Sequence, residues 1–182
     1  MVHVVRRLLG AFLVLAIVAG ATLALSSRPR LETDRNAVER NWHTVQPVLD
    51  IRYSRVATLA HAITAAGGPP NPLVAEVEAD DAAFKALPAN APVAHAIAAA
   101  NALEGLARRL EATVTGSPLL HANHAVTSAL AAMTVVKIPS AVTPLNDAIA
   151  RYEKDRGGPV RRLIAGPLGY SAIPRLALAV GD

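Results

Sequence analysis

His121 and His124 are the side chains best spaced for chemistry, since residues three apart can set two imidazoles on one helix face. Such a face is half of a metal site. A structural or catalytic zinc needs three or four ligands, and no HExxH motif or carboxylate partner stands near this pair. The two therefore read as solvent-facing or capping histidines, with a metal or small-molecule binder built on them as an alternative. His43, His61 and His95 are scattered singly. Carboxylates gather at Glu76, Glu78, Asp80 and Asp81, in a stretch that reads as exposed, where no burial would shift a pKa toward catalysis.

Other reaction classes lack their motifs. There is no GxSxG for a serine nucleophile, and no GxxxxGK[ST] or strand-led GxGxxG for a nucleotide. Gly166-Pro167-Leu168-Gly169 follows no strand, so no phosphate cradle is expected there. The absence of cysteine excludes disulfides, thiolate metal sites and a cysteine nucleophile. The sequence thus nominates no catalytic residue, no cofactor, no metal site and no small-molecule substrate.

Trp42 invites a stacked ligand, yet it lies on a helical stripe between Val38 and Val45 and is expected in the core. Arg151, Lys154, Arg156, Arg161 and Arg162 cluster, with Glu153 and Asp155 among them. They read as a solvated basic helix end that favours the helix dipole. Contact with anionic headgroups is the competing reading. The net charge of +4 is modest and the basic residues are not interleaved with aromatics, so no nucleic-acid partner is expected.

The elements that carry these residues follow from composition. Apolar residues make up 52% of the 182 residues but aromatics only 3%, so alanine dominates the apolar content. Alanine loses no side-chain entropy in a helix and buries little surface, which favours closely packed helices. The run Leu8 to Leu25 holds no charged residue. At about 1.5 Å per residue it is just long enough for a hydrocarbon core of about 30 Å. Arg6 and Arg7 precede it, and Arg28, Arg30 and Arg35 follow, so either orientation in the membrane is open. A cleaved signal peptide with small residues at Ala21 to Ala24 is the rival. The apolar run continues through Leu23 and Leu25, and this favours an uncleaved anchor.

Beyond the anchor, Val38, Trp42, Val45, Leu49, Tyr53, Val56, Leu59 and Ile63 recur every three or four residues and predict a long helix. Pro47 predicts a kink in it. Gly67-Gly68-Pro69-Pro70 ends it. Residues 73–91 read as a loop with at most one short helix. A helix resumes at Pro92 and closes near Gly116, another runs from Leu120 to Val136, and Thr143-Pro144 restarts one through Tyr152. Gly157-Gly158-Pro159 stops that helix, and the remainder is apolar and rich in turns. No strand of useful length is expected.

Three ordered blocks resemble the LemA family of bacterial membrane-anchored helical proteins. The first is Arg35-Asn36-Ala37-Val38-Glu39 with Trp42, Leu49 and Arg52-Tyr53. The second runs from Asn101 through Leu103, Leu106, Arg108 and Leu110 to Pro118, Leu120 and Ala122-Asn123. The third joins Asn146, Ala148, Ile149 and Tyr152 to Pro159, Leu163-Ile164-Ala165-Gly166 and Gly169-Tyr170. Leu145-Asn146 and Tyr152-Glu153 stand where the family has Tyr-Asn, and Pro47, Pro139 and Pro144 depart from its pattern, which marks a divergent member. The resemblance implies an elongated antiparallel bundle behind one membrane helix and brings no assigned enzyme activity.

The expectation is therefore an all-α chain: a basic tail over 1–7, a transmembrane helix over 8–26, a helical bundle over 31–170 and an apolar tail over 171–182. Its partners would be the cell membrane and a protein of the envelope for which it acts as a non-catalytic interaction or scaffolding module. A secreted or periplasmic helical domain is the alternative.

Overall fold

The computed structural model describes residues 2–67, 72–135, 139–158 and 161–178, with side chains from residue 28 onward except those of 139, 163 and 164. Every regular element among them is helical. The spine is α1 (Val2–Ala65), whose buried stripe from Leu31 through Val38, Trp42, Val45, Leu49, Tyr53, Val56 and Leu59 to Ile63 keeps the spacing of one helix face. Pro29 and Pro47 both lie inside α1, which stays helical across them. Pro47 is exposed, and the carbonyl it leaves without a helix donor belongs to His43, which is also exposed. Gly67, at φ +78°, turns the chain out of the helix.

The stretch expected to be mostly loop is instead α2 (Pro72–Lys85). Leu73, Val74, Val77, Asp81 and Phe84 are buried along one face, while the other acidic residues lie toward solvent. Its helical period was hidden because an aspartate occupies one of the inward positions. Helix α2 runs antiparallel to α1: the Tyr53 and Phe84 rings meet edge to face at 5.0 Å, and His61 Nδ1 lies 3.5 Å from Glu78 Oε1 further along. Helix α3 (Val93–Gly116) then returns beside α2, with Arg109 Nη1 2.7 Å from Glu76 Oε2.

The single helix expected over 120–136 is broken. Helix α4 (Pro118–Ala122) stops at Asn123, whose Oδ1 accepts from the amides of Ala125 and Val126 and so starts α5 (His124–Thr134). Asparagine stabilises a helix start in this way by satisfying amides that lack intrahelical partners. Helix α6 (Pro139–Arg156) begins one turn earlier than the Thr143-Pro144 signal implied. Pro139 supplies a first-turn proline and Pro144 sits exposed inside the helix. The short α7 (Arg161–Ala165) precedes an extended segment, 170–178, that lies against the bundle.

Helices α2, α3, α5, α6 and α7 all contact α1, and the core is one continuous cluster along it. The transmembrane segment expected at 8–26 falls on residues whose side chains lie outside the described set. Among the described residues no helix is long and apolar enough to cross a membrane.

Candidate binding cleft

The loop joining α2 to α3 folds over α1 and leaves a cleft of about 320 Å³. Trp42 and Phe84 supply its aromatic surface, Val93 and Ala96 its aliphatic side, and Arg35, Glu39, His43 and Gln46 its polar edge. These polar residues recur along α1 every three or four positions, so one helix face carries them all. The opposite rim is Leu87–Pro92, closed by a bond from the Ala91 amide to the Pro88 carbonyl at 2.8 Å. Pro92 then starts α3 with no side-chain cap.

Trp42 lies in the core as expected from its stripe. It is only 5% exposed, as a core residue should be, and it also lines the cleft. Arg35 Nε donates to Glu39 Oε1 at 3.0 Å, so the carboxylate at the edge is held by an adjacent arginine. Because Trp42, Phe84, Val93 and Ala96 are almost fully buried, the surface open to the cleft is mostly polar, which suits a polar or charged group more than an apolar one.

Below the cleft a buried polar joint fixes the helices that form it. Arg52 Nε and Nη2 reach Glu104 Oε1 and Oε2 at 2.5 and 2.9 Å, and Arg52 Nη1 donates to the Met133 carbonyl at 3.3 Å. One guanidinium thus ties α1 to α3 and α5. Next to it, the Tyr53 hydroxyl donates to the Ala100 carbonyl at 3.1 Å. Burial pushes the Tyr53 hydroxyl far above the usual phenol range, and the Glu104 charge adds to this.

The remaining residues singled out by sequence are dispersed. His121 closes α4 and His124 opens α5, on opposite sides of the Asn123 break, and both are exposed. Among the described residues no three His, Cys, Asp or Glu side chains gather as a metal group. The basic cluster is partly neutralised: Arg156 Nη2 lies 2.8 Å from Glu153 Oε2, and Asp155 Oδ2 is 2.5 Å from Arg30 Nε and 3.3 Å from Arg161 Nη1. Asp34 sits beside Asp155, and burial, reinforced by that neighbouring carboxylate, raises its pKa. Of the acidic patch, Asp81 is buried, with Lys85 Nζ 2.7 Å from its Oδ2.

Sequence reasoning missed the Leu87–Pro92 rim, because a loop that closes a cleft has no periodic signature. Comparisons with protein-family models, curated proteins and solved structures return no match.

Proposed function

We propose that this protein is a membrane-tethered, non-catalytic interaction module of the bacterial cell envelope, a divergent LemA-like protein with an elongated antiparallel bundle. The observation that carries this reading is the continuity of α1. One helix, Val2–Ala65, bears both the uncharged run Leu8 to Leu25 and the stripe on which the other helices pack. A tether of this kind would hold the cleft at a short, set distance from the bilayer. The LemA-like residues also occupy joints of the bundle: Arg52 binds Glu104, Tyr53 binds the Ala100 carbonyl, and Trp42 lines the cleft.

The test is fractionation of the full-length protein carrying an N-terminal tag, with alkaline carbonate extraction and mass determination. A retained tag and resistance to extraction are expected. A lost tag with a soluble remainder would replace this reading with that of an exported helical domain. Trp42 is the chain's one tryptophan, so a partner side chain seated in the cleft should change its emission.

A further inference from the structure

One end of the bundle closes directly above the uncharged run of α1. Arg30 Nε lies 2.5 Å from Asp155 Oδ2 near the end of α6, and Arg161 Nη1 of α7 lies 3.3 Å from the same oxygen. The Tyr170 hydroxyl interacts with Arg28 and Glu32. Arg28 and Arg30 follow Leu25 by three and five residues, about 4.5 and 7.5 Å along a helix. The end of α6, α7 and the turn 166–169 therefore meet α1 within about two helical turns of the run Leu8 to Leu25.

Charge is concentrated at this end. Residues 28–35 and 151–162 hold eight arginines and lysines against four carboxylates, and the rest of the chain is balanced, so this surplus equals the whole formal charge of +4. The carboxylates are engaged: Asp155 by Arg30 and Arg161, Glu153 by Arg156, Glu32 by Arg28, with the charges of Arg30 and Arg151 reaching Asp34. Arg151, Lys154 and Arg162 stand exposed around them. The helix dipole accounts for Lys154 and Arg156 in the last turn of α6. It does not account for Arg161 and Arg162, which open α7, where a dipole disfavours cations.

An exposed leucine stands beside these charges. The turn 166–169 is closed by bonds from the Gly169 amide to the Gly166 carbonyl and from the Tyr170 amide to the Ala165 carbonyl, both 2.9 Å. Further along the segment, Asn146 of α6 bonds both the amide and the carbonyl of Leu176, at 2.9 and 3.0 Å. Pro167 and Leu168 are exposed on this fixed turn, Leu168 at 37%. Arginines around a tyrosine and an exposed leucine match a membrane interface, where cations meet phosphates and apolar groups enter the layer beneath.

We infer that this end of the bundle is a docking surface for the anionic headgroups of the bilayer that holds α1. The inference rests on the tether reading. A lipid surface is the occupant because the uncharged run leaves from the same helix a few ångströms away and the surface carries the chain's whole positive surplus. Docking sets the direction in which the bundle stands from the membrane.

The chain has no cysteine, so a single introduced one can carry a fluorophore. Full-length Ser171→Cys places the label beside the turn, and Leu119→Cys places it on exposed α4. Helix α4 lies at the other end of the bundle, since α3 runs from the cleft past the Arg109–Glu76 contact before reaching it. Each protein is reconstituted in vesicles with a nitroxide quencher on the headgroups, made of phosphatidylcholine alone or with phosphatidylglycerol. In the anionic vesicles quenching at 171 should exceed that at 119 several-fold, and in phosphatidylcholine the excess should vanish. Lys154→Gln with Arg162→Gln should weaken docking about 30-fold, about fivefold per charge removed near an anionic surface. Equal quenching at the two positions in anionic vesicles, or equal quenching at 171 in both lipids, would overturn the proposal. Flotation of the same samples separates the two readings. Protein that floats with both lipids keeps the tether whatever the label reports. Protein that floats only with the anionic lipid loses the tether and keeps the docking, and protein that floats with neither loses both.

Discussion

The Arg52 guanidinium and the Glu104 carboxylate face each other in parallel through two contacts, with side-chain exposures of only 6% and 0%. Such bidentate pairs combine charge with a fixed fork geometry. Arg52→Ala would strand the carboxylate in a dry interior, so a loss of about 3–5 kcal/mol of stability is expected. Replacing both partners, Arg52→Met with Glu104→Leu, should recover most of it, since apolar residues of similar size leave no buried charge behind. Urea unfolding followed by circular dichroism measures both. A loss below about 1 kcal/mol for the single variant would mean the pair behaves as an exposed one.

Tyr53 offers a separable measurement at alkaline pH. Burial raises the pKa of Tyr53, Tyr152 and Tyr170 alike, and these are all the chain's tyrosines. A raised folded pKa means that the folded state holds its proton while the unfolded state releases it. The associated stability is therefore full below about pH 10 and declines as pH rises above it. Tyrosinate absorbance should appear late and together with loss of helix. Early release by all three tyrosines in a protein still helical would contradict their burial. Tyr53→Phe should reduce this alkaline dependence and cost about 0.5–1.5 kcal/mol near neutrality for the lost hydrogen bond.

Asp34 has the same sign in a lower pH window, because its pKa is also raised. Burial is the larger cause of its raised pKa and the Asp155 carboxylate the second. Its ionisation therefore costs stability as pH climbs through the folded pKa, and the cost is absent when the group is protonated. Asp34→Asn should raise the melting temperature at about pH 7 and leave it unchanged at about pH 3, below the ordinary carboxylate range. An equal rise at both values would point to an effect unrelated to charge.

The Asn123 cap separates α4 from α5, accepting from Ala125 N at 3.0 Å and Val126 N at 3.3 Å. Asn123→Ala should cost about 1 kcal/mol, and Asn123→Ser much less, because serine also caps. Thermal unfolding of the two variants under one set of conditions decides this. Equal loss in both would show that the amide of Asn123 matters for something other than its bonds to the helix start.

Helix type and the long α1 stripe were legible in order along the chain. The spacing from Val38 to Ile63 is a local property, and a helix that long presents one face whatever packs on it. Chain exit at Gly67 was legible too, since glycine there accommodates a positive φ. What determined α2 was tertiary: its apolar face becomes a helix face only once Phe84 meets Tyr53 and Asp81 is drawn inward beside Lys85. The Arg52–Glu104 joint spans 52 residues of sequence, and no local period links its members. The cleft and the docked segment 170–178 are tertiary for the same reason. Asn101 and Asn146 could be read as helix residues, but that they grip one extended backbone depends on α3 and α6 both being packed on α1. Sequence determined α1, α3 and the turns that end them, because periodicity and turn chemistry act between near neighbours. Tertiary packing decided which of their polar side chains would meet, because that depends on how separate helices are set against one another.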